Sequence, residues 1–296
     1  MSLQAHFFRW VLRIAPRGEI SQRTLAERRR EASFGAGLIR PPRAMEISAL
    51  SVAGMEARWI AAPQVEAHRV LLYLHGGGWV FGWMGFYDSF VTRLAQASKS
   101  RVLGIDYHLA PEFPYPAALE DCLSAYRFLL AQGTPAGRIV IVGDSAGGNL
   151  TLVTLLALKR AGLQLPAAGV CLCPVTDLAA DRSASLIDVE KDVVLDPASM
   201  KFFRDSYLGG KDPRDPLISP LNADLAGLPP LLIQAGGDEI LLSDSQALAA
   251  RAVQAGVKAT LQVYPGMWHV WQLFTPYLPE AKQAVEEISR FIQSRT

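Results

Sequence analysis

Short apolar runs rich in valine, leucine and isoleucine alternate along this chain with segments of helical periodicity. The candidate strands are residues 69–75, 101–107, 138–143, 168–174, 230–236 and 259–264, after a possible hairpin at 46–53 and 56–61. Most are continuously apolar, which is typical of parallel strands buried on both faces. The candidate helices are residues 86–98, 117–131, 146–161, 243–255 and 280–294. This order predicts an α/β protein with one doubly wound sheet and helices on both faces.

The composition excludes several classes of protein. The chain has 296 residues, 50% of them hydrophobic and 19% charged, so it buries enough apolar surface to fold, unlike a disordered polypeptide. A formal net charge of +1 gives no electrostatic signature of a nucleic-acid partner. Three cysteines are too few for a disulfide scaffold and, without a signal peptide, they indicate a reducing, cytoplasmic location.

The apolar N-terminal stretch is interrupted by Arg9 and Arg13 at helical spacing, so it lacks the core of a signal peptide. A basic amphipathic helix on a membrane surface is one interpretation. We prefer a helix that packs on the rest of the protein through Phe7, Phe8, Val11 and Leu12. The uncharged run 70–87 contains three consecutive glycines, each costing about 0.8–1.0 kcal/mol inside a helix. We therefore expect no stable insertion into a membrane.

Two stretches do not follow the alternation of strands and helices. Residues 1–43 are rich in arginine and carry a net positive charge, whereas residues 177–215 carry a net negative charge. We predict that these segments pack together as a helical cap over the sheet, with their opposite charges assisting docking. The catalytic core then consists of residues 44–176 and 216–296.

A nucleophile motif follows the candidate strand 138–143. Residues 143–147 read GDSAG and are followed by a helical run, which is the strand–turn–helix context of a nucleophile elbow. Ser145 would sit on a strained turn, and glycines two residues before and after it avoid steric clashes. A phosphate-binding loop is the alternative, but Asn149 and Leu150 occupy the positions where that loop needs lysine and serine or threonine.

A glycine run, HGGG at residues 75–78, follows the first predicted parallel strand. Backbone N–H groups without obstructing side chains can approach the oxygen that becomes negative during acyl transfer. Together with the elbow, this loop predicts an oxyanion hole formed by the N–H groups of Gly76, Gly77 and Ala146. His75 is then expected to anchor the loop rather than act as a base.

The order of the chain selects the general base. In hydrolases that carry a nucleophile elbow, the nucleophile precedes the acid in the sequence, and the acid precedes the histidine. His269 is the one histidine after Ser145. Candidates for the acid are Asp238, at the end of the strand 230–236, and Asp177, after the strand 168–174. Two further acids are less well placed. Glu239 lies one residue beyond Asp238, and Asp244 lies inside the next predicted helix.

These motifs resemble the bacterial hormone-sensitive-lipase-like (family IV) esterases of the α/β-hydrolase superfamily. The resemblance rests on HGGGW at 75–79, DYHLAPE at 106–112, GDSAGGN at 143–149, DPLISP at 215–220, GGDEIL at 236–241 and YPGMWH at 264–269. It implies an α/β-hydrolase fold with a mostly parallel eight-stranded sheet and a helical cap. Together with the position of its strand, it favours Asp238 as the triad acid. His108 departs from the family pattern, which has arginine there, so we expect altered local hydrogen bonding.

The resemblance implies a serine carboxylesterase for small ester substrates with short to medium acyl chains, without a cofactor. Lactone hydrolysis, amide hydrolysis by the same triad, and a non-catalytic ligand receptor on this scaffold are the alternatives. No metal is expected, because Cys171 and Cys173 would point to opposite faces of one strand. The family often forms homodimers, and the strand 259–264 could pair with its copy at the sheet edge.

Aromatic side chains near the cap and the site are candidates for the substrate pocket, although each could equally be ordinary core. The predicted pocket residues are Trp79, Phe34, Phe202, Phe203, Tyr207 and Trp268.

Overall fold

The computed structural model describes residues 1–15, 22–35, 42, 45–62, 69–180 and 191–296, with side chains at all of these except 22–23 and 32–35. Its eight strands form one sheet. They are β1 (Glu46–Val52), β2 (Met55–Ala61), β3 (Val70–Leu74), β4 (Arg101–Ile105), β5 (Ile139–Asp144), β6 (Ala168–Leu172), β7 (Leu231–Gly236) and β8 (Ala259–Tyr264).

The strand order is β1-β2-β4-β3-β5-β6-β7-β8. The hairpin β1–β2 is antiparallel and joins β4 in an antiparallel pairing. All pairings from β4 to β8 are parallel. The predicted mostly parallel α/β sheet is therefore confirmed.

Helices cover both faces of the sheet. In the described part of the chain they are α1 (Leu3–Ile14), α2 (Gln22–Gly35), α3 (Gly85–Ser98), α4 (Ala117–Ala131), α5 (Ala146–Arg160), α6 (Pro197–Leu208), α7 (Leu242–Gln254) and α8 (Pro279–Gln293). Buried apolar side chains of α4, α5 and α7 form the core on one face. Those of α3 and α8 form the core on the other. Burial on both faces explains why the parallel strands read as continuous apolar runs.

Four strands, β1, β3, β4 and β6, end one or two residues earlier than predicted. β3 stops at Leu74 and β4 at Ile105, because the residues that follow turn out of the ladder to pack on each other. The ring of His75 stacks on that of Tyr107 with centroids 4.2 Å apart, and the Tyr107 hydroxyl donates to the carbonyl of His75 over 2.8 Å. This contact fixes the start of the glycine loop.

The N-terminal helix α1 packs with one face only. Ala5 is buried, and Phe8 and Leu12 pack against the cluster around Trp268 and Trp271. Phe7 remains 57% exposed and Val11 36% exposed, so the predicted packing of these two side chains is wrong. Among the described residues, no helix is both long and apolar enough to cross a membrane.

The two segments outside the sheet contact each other and the core. Leu25 of α2 belongs to a buried cluster against which Phe202 and Phe203 of α6 pack, and Arg9 of α1 donates to the carbonyl of Lys191. Residues 16–21, 36–41, 43–44 and 181–190 of these segments lie outside the described residues. Their boundaries and their role as a cap stay predictions.

β8 lies at the edge of the sheet, beside β7. Its position leaves one side of the strand available for pairing with a second copy. A homodimer formed through residues 259–264 stays a prediction.

Candidate active site

Ser145 stands on a sharp turn between β5 and α5. Its φ of 54° and ψ of −117° are strained for a residue with a side chain. A Cβ at Gly143 would collide with the carbonyl of Gly147, and one at Gly147 with the carbonyl of Leu74. The two glycines therefore permit the tight approach that the GDSAG spacing predicted. The Ser145 side chain does not cap α5, so its hydroxyl remains available to another partner.

That partner is His269, on the turn after β8. The Ser145 hydroxyl lies 2.8 Å from Nε2 of His269, with its Oγ–H donating. The Nδ1 of the same ring lies 2.6 Å from Oε2 of Glu239, to which Nδ1–H donates. The structure thus brings the predicted serine and histidine together, and a carboxylate fixes the imidazole tautomer that leaves Nε2 able to accept a proton.

The acid in this position is Glu239, so the prediction of Asp238 is wrong. Asp238 instead forms an ion pair with Arg9, with 2.5 Å between Nη1 and Oδ2. Asp177 and Asp244, the other candidates, lie together elsewhere, since the Asp244 carboxylate accepts the Asp177 N–H over 3.1 Å. Two adjacent acids after β7 therefore have opposite orientations, one toward the histidine and one toward α1.

The local backbone explains this choice. β7 ends at Gly236, whose N–H donates to Oε1 of Glu239 over 2.7 Å and so turns that side chain back toward the sheet. The N–H of Asp238 donates to the carbonyl of Met267 over 3.0 Å, which places its side chain on the outer side of the turn. The Glu239 side chain is fully buried. Nothing in the sequence pattern alone fixes these two orientations.

The buried carboxylate raises the pKa of His269. Burial by itself lowers that pKa. The hydrogen bond that the imidazole donates to Glu239 and the negative charge of that carboxylate outweigh burial, and the charges of Asp192 and Asp144 add to the effect. The net direction is upward from the ordinary value of 6.5. A carboxylate so placed stabilises the imidazolium that forms when the histidine takes a proton.

Cys173 lies beside Glu239 and His269. The sequence pattern did not identify it as part of the site. Its Sγ, a nitrogen of His269 and an oxygen of Glu239 lie within 4.8 Å of one another, a donor set that zinc accepts. However, Nδ1 of His269 is engaged by Glu239 at 2.6 Å, and burial raises the pKa of the Cys173 thiol well above its usual value. A thiol that stays protonated is a poor metal ligand, so these residues fit a catalytic pair better than a metal centre.

The prediction of Gly76 as an oxyanion-hole donor is wrong. The N–H of Gly76 donates to Oδ1 of Asp144 over 3.0 Å, so it is not available to a substrate oxygen. The N–H groups of Gly77 and Gly78 make no backbone hydrogen bond among the described residues, and Ala146, as the first residue of α5, has no partner within its helix. These three groups are the donors that the loop and the elbow leave free.

Asp144 holds the glycine loop against the sheet. Besides the Gly76 N–H, its carboxylate accepts the hydroxyls of Tyr73 over 2.6 Å and Tyr87 over 3.1 Å. Burial raises the pKa of Asp144, although the tyrosine hydrogen bonds and the nearby histidines act in the opposite direction. The network connects the residue before the nucleophile to the first glycine of the loop, so it fixes the distance between nucleophile and donors.

A cavity of about 430 Å³ lies close to the end of the glycine loop and to the turn after β6. Trp79, directly after the loop, lines it, and so does Val175, whose N–H lies 3.4 Å from the Ser145 carbonyl. The remaining lining residues are Asp177, Leu178, Ala180, Pro197, Ala198, Met200, Lys201 and Arg204. Of the predicted pocket residues, Trp79 is the one in this lining.

Four of the other five predicted pocket residues lie elsewhere. Tyr207 is buried behind Trp79, and their rings stack with centroids 4.3 Å apart. Phe203 faces Gly78, where an added Cβ would strike its ring, and it packs edge-on against Phe202. Trp268 belongs to the buried cluster under α1. The side chain of Phe34 is outside the described residues.

His108 contacts Asp121, and the altered hydrogen bonding that its departure from the family pattern predicts stays a prediction. Its N–H and its Nδ1 both contact Oδ2 of Asp121, at 2.7 and 2.8 Å. His75 serves as an anchor, as expected, because its Nδ1 contacts the Gly76 carbonyl over 2.8 Å. Neither ring lies at the nucleophile.

Comparisons with known proteins identify the family of this chain. Residues 71–273 match a protein family described as having the alpha/beta hydrolase fold. An acetyl-hydrolase of Streptomyces hygroscopicus is 40% identical over 279 residues, which cover 94% of this chain and 91% of that protein.

Two solved structures are similar over nearly the whole chain. A crystal structure of an esterase from the bacterial hormone-sensitive lipase family has 42% identity and a TM-score of 0.92, covering 100% of this chain and 99% of the other. A crystal structure of the esterase EstE5 soaked with p-nitrophenyl butyrate has 37% identity, a TM-score of 0.93 and the same coverage. The chain belongs to the α/β-hydrolase fold family and, within it, to the hormone-sensitive-lipase-like (family IV) carboxylesterases.

Proposed function

We propose that this carboxylesterase hydrolyses short- to medium-chain acyl esters through an acyl-enzyme intermediate on Ser145. The observation that carries the proposal is the continuous hydrogen-bonded line from the Ser145 hydroxyl through His269 to the buried Glu239, with distances of 2.8 and 2.6 Å. A nucleophile in contact with a base, itself oriented by a third group, is the arrangement that activates a serine hydroxyl.

The reaction follows from the positions of these groups. Ser145 Oγ attacks the acyl carbon as its proton passes to Nε2 of His269, and Glu239 stabilises the resulting imidazolium. The N–H groups of Gly77, Gly78 and Ala146 receive the oxyanion. The intermediate collapses when the alcohol leaves with the proton from His269. Water then attacks the acyl-enzyme by the same route, releasing the carboxylic acid and restoring Ser145.

The cavity supports a preference for short acyl chains. Its volume of about 430 Å³ lies toward the lower end of the usual range for small-molecule sites, roughly 300–1,000 Å³. Its wall combines the apolar Trp79 and Met200 with the charged Asp177, Lys201 and Arg204. A chain long enough to cover these charged groups would remove them from water, which costs free energy. The names of the relatives, an acetyl-hydrolase and an esterase soaked with a butyrate ester, are consistent with this size.

We expect kcat/KM for p-nitrophenyl esters to be highest between C2 and C8 and to fall at least tenfold by C16, because the longer chain cannot stay within the cavity. A γ-lactone and a p-nitroanilide of the preferred acyl group, assayed in the same series, test the lactone and amide alternatives. A maximum at C12 or longer, or a lactone cleaved faster than every ester, would contradict the proposed substrate class.

The acyl-enzyme itself can be tested by trapping. Diethyl p-nitrophenyl phosphate should phosphorylate Ser145 and release one equivalent of p-nitrophenol, because the phosphoryl group mimics the acyl carbon but is not readily hydrolysed. Mass spectrometry of the peptide that contains residue 145 locates the adduct. Inactivation with the adduct on another residue would refute the assignment of the nucleophile.

The pH dependence follows from the raised pKa of His269. The imidazole must be neutral to accept the serine proton, so kcat/KM should decrease as the pH falls through that pKa. The midpoint of the acidic limb is therefore expected above 6.5, the ordinary pKa of histidine. A pH profile of kcat/KM with a midpoint below 6.5 would contradict the electrostatic role of Glu239.

A further inference from the structure

Arg9 connects three segments that are far apart in the sequence. From helix α1, its Nη1 donates to Oδ2 of Asp238 over 2.5 Å and to the carbonyl of Gly266 over 3.0 Å. Its Nη2 donates to the carbonyl of Lys191 over 2.9 Å. The Arg9 side chain is only 15% exposed. One guanidinium therefore occupies the point where α1, the turn after β7, the turn after β8 and the 177–215 segment meet.

Two of these acceptors lie next to the groups of the triad. Asp238 directly precedes Glu239, and Gly266 is in the turn that leads to His269. The two turns also contact each other, because the Asp238 N–H donates to the Met267 carbonyl over 3.0 Å. Arg9 thus bridges the loop that carries the acid and the loop that carries the base.

The third acceptor is the carbonyl of Lys191, in the segment that also contacts the residue after Glu239. Lys191 precedes Asp192, a buried residue whose Oδ2 accepts the N–H of Ile240 over 2.9 Å. Ile240 directly follows Glu239, so the residues on both sides of the acid are held by segments outside the sheet. Both hydrogen bonds come from segments that contribute no strand to the sheet.

We propose that Arg9 is a positioning residue for the reaction: it fixes the separation of the Glu239 and His269 loops from outside the core. The inference rests on the proposed function, since it assumes that Glu239 and His269 act on Ser145. Arg9 does not touch the reacting atoms. Its contribution is to keep the Nδ1–Oε2 contact at its short distance while substrate binds and leaves.

Arg9→Ala is expected to lower kcat for p-nitrophenyl acetate by about 10–100-fold, with KM changed less than threefold. A misplacement of about 1 Å in a triad can cost this much, whereas the cavity residues that bind the acyl group are untouched. Arg9→Lys should fall between wild type and Arg9→Ala, because an ammonium keeps the charge but lacks the planar fork that reaches several acceptors. Arg13→Ala, an exposed position on the same helix, is the matched control and should retain wild-type kinetics.

The pH profile separates positioning from a merely structural role. The titratable groups around the His269 ring are Glu239, Asp192, Asp144 and Cys173. In Arg9→Ala, the Asp238 carboxylate loses its positive partner and its uncompensated charge favours the protonated imidazole. The acidic limb of kcat/KM should therefore shift to higher pH. Arg9→Ala/Asp238→Asn removes that charge and should return the limb toward the wild-type position without restoring kcat.

The following results would overturn the positioning role of Arg9. If Arg9→Ala keeps wild-type kcat and an unshifted acidic limb, the positioning role is overturned while the proposed function stands. If it lowers only the melting temperature, with the kinetics of the folded enzyme unchanged, the role is also overturned. Should Arg9→Ala fail to fold, Arg9→Lys provides the same readouts. Retained activity in Ser145→Ala would overturn both the proposed function and this inference.

Discussion

In a Ser145→Ala variant, kcat for p-nitrophenyl acetate is expected to fall by about 10⁴–10⁶-fold. Without the hydroxyl no acyl-enzyme can form, and the remaining rate comes from the oxyanion donors and from substrate binding. The fold should persist, because alanine fits the strained turn at φ 54° as well as serine does, and the hydroxyl caps no helix.

The measurement is initial rate against substrate concentration, with a thermal melt to confirm folding. Ser124→Ala, at a half-buried position of α4, is a suitable control, since among the described residues its hydroxyl donates to the Glu120 carbonyl of the same helix. That variant should be indistinguishable from wild type. A Ser145→Ala enzyme within tenfold of the wild-type kcat would show that the reaction does not use this nucleophile.

Glu239→Gln is expected to lower kcat by about 10⁴-fold, the loss that follows when the acid of a serine triad becomes an amide. Glutamine has nearly the same shape, but it cannot stabilise an imidazolium, and its amide can hold the ring in the wrong tautomer. The acidic limb should also move to lower pH, because the largest influence that raises the pKa of His269 is lost. Rates and pH profiles of kcat/KM measure both effects.

Asp238→Asn is the matched comparison, one residue away and on the outer side of the same turn. Asparagine retains an oxygen that can accept from Arg9, so we expect a loss of at most several-fold. The ratio between the two variants assigns the triad acid. A larger loss in Asp238→Asn than in Glu239→Gln would contradict the arrangement in the structure and restore the prediction made from the sequence.

This contrast shows where sequence reasoning stops. The position of an acid after β7 was predictable, since catalytic groups gather at the carboxyl ends of parallel strands. Which of Asp238 and Glu239 turns inward was not. That choice depends on the Gly236 N–H, the Met267 carbonyl and Arg9, three groups that lie on different elements.

The oxyanion loop was also predictable only in part. Its glycines and its place after β3 were evident from HGGG, because close backbone approach needs residues without side chains. The identity of the donors was not, since the Gly76 N–H is used by Asp144, whereas the Gly78 N–H makes no backbone hydrogen bond among the described residues. Asp144 stands inside the elbow motif, yet its link to Tyr73 and Tyr87 joins residues far apart in the sequence.

The sequence by itself determined the sheet, the strand–turn–helix that presents Ser145, and His269 as the base. These depend on local periodicity, on glycine spacing and on the order of residues, which are properties of short segments. The tertiary structure alone decided the acid, the oxyanion donors, the cavity wall and the contact of Arg9 with both loops. Each of these depends on the direction of a side chain or an N–H in an irregular turn, and that direction is set by groups that only folding brings within hydrogen-bonding distance.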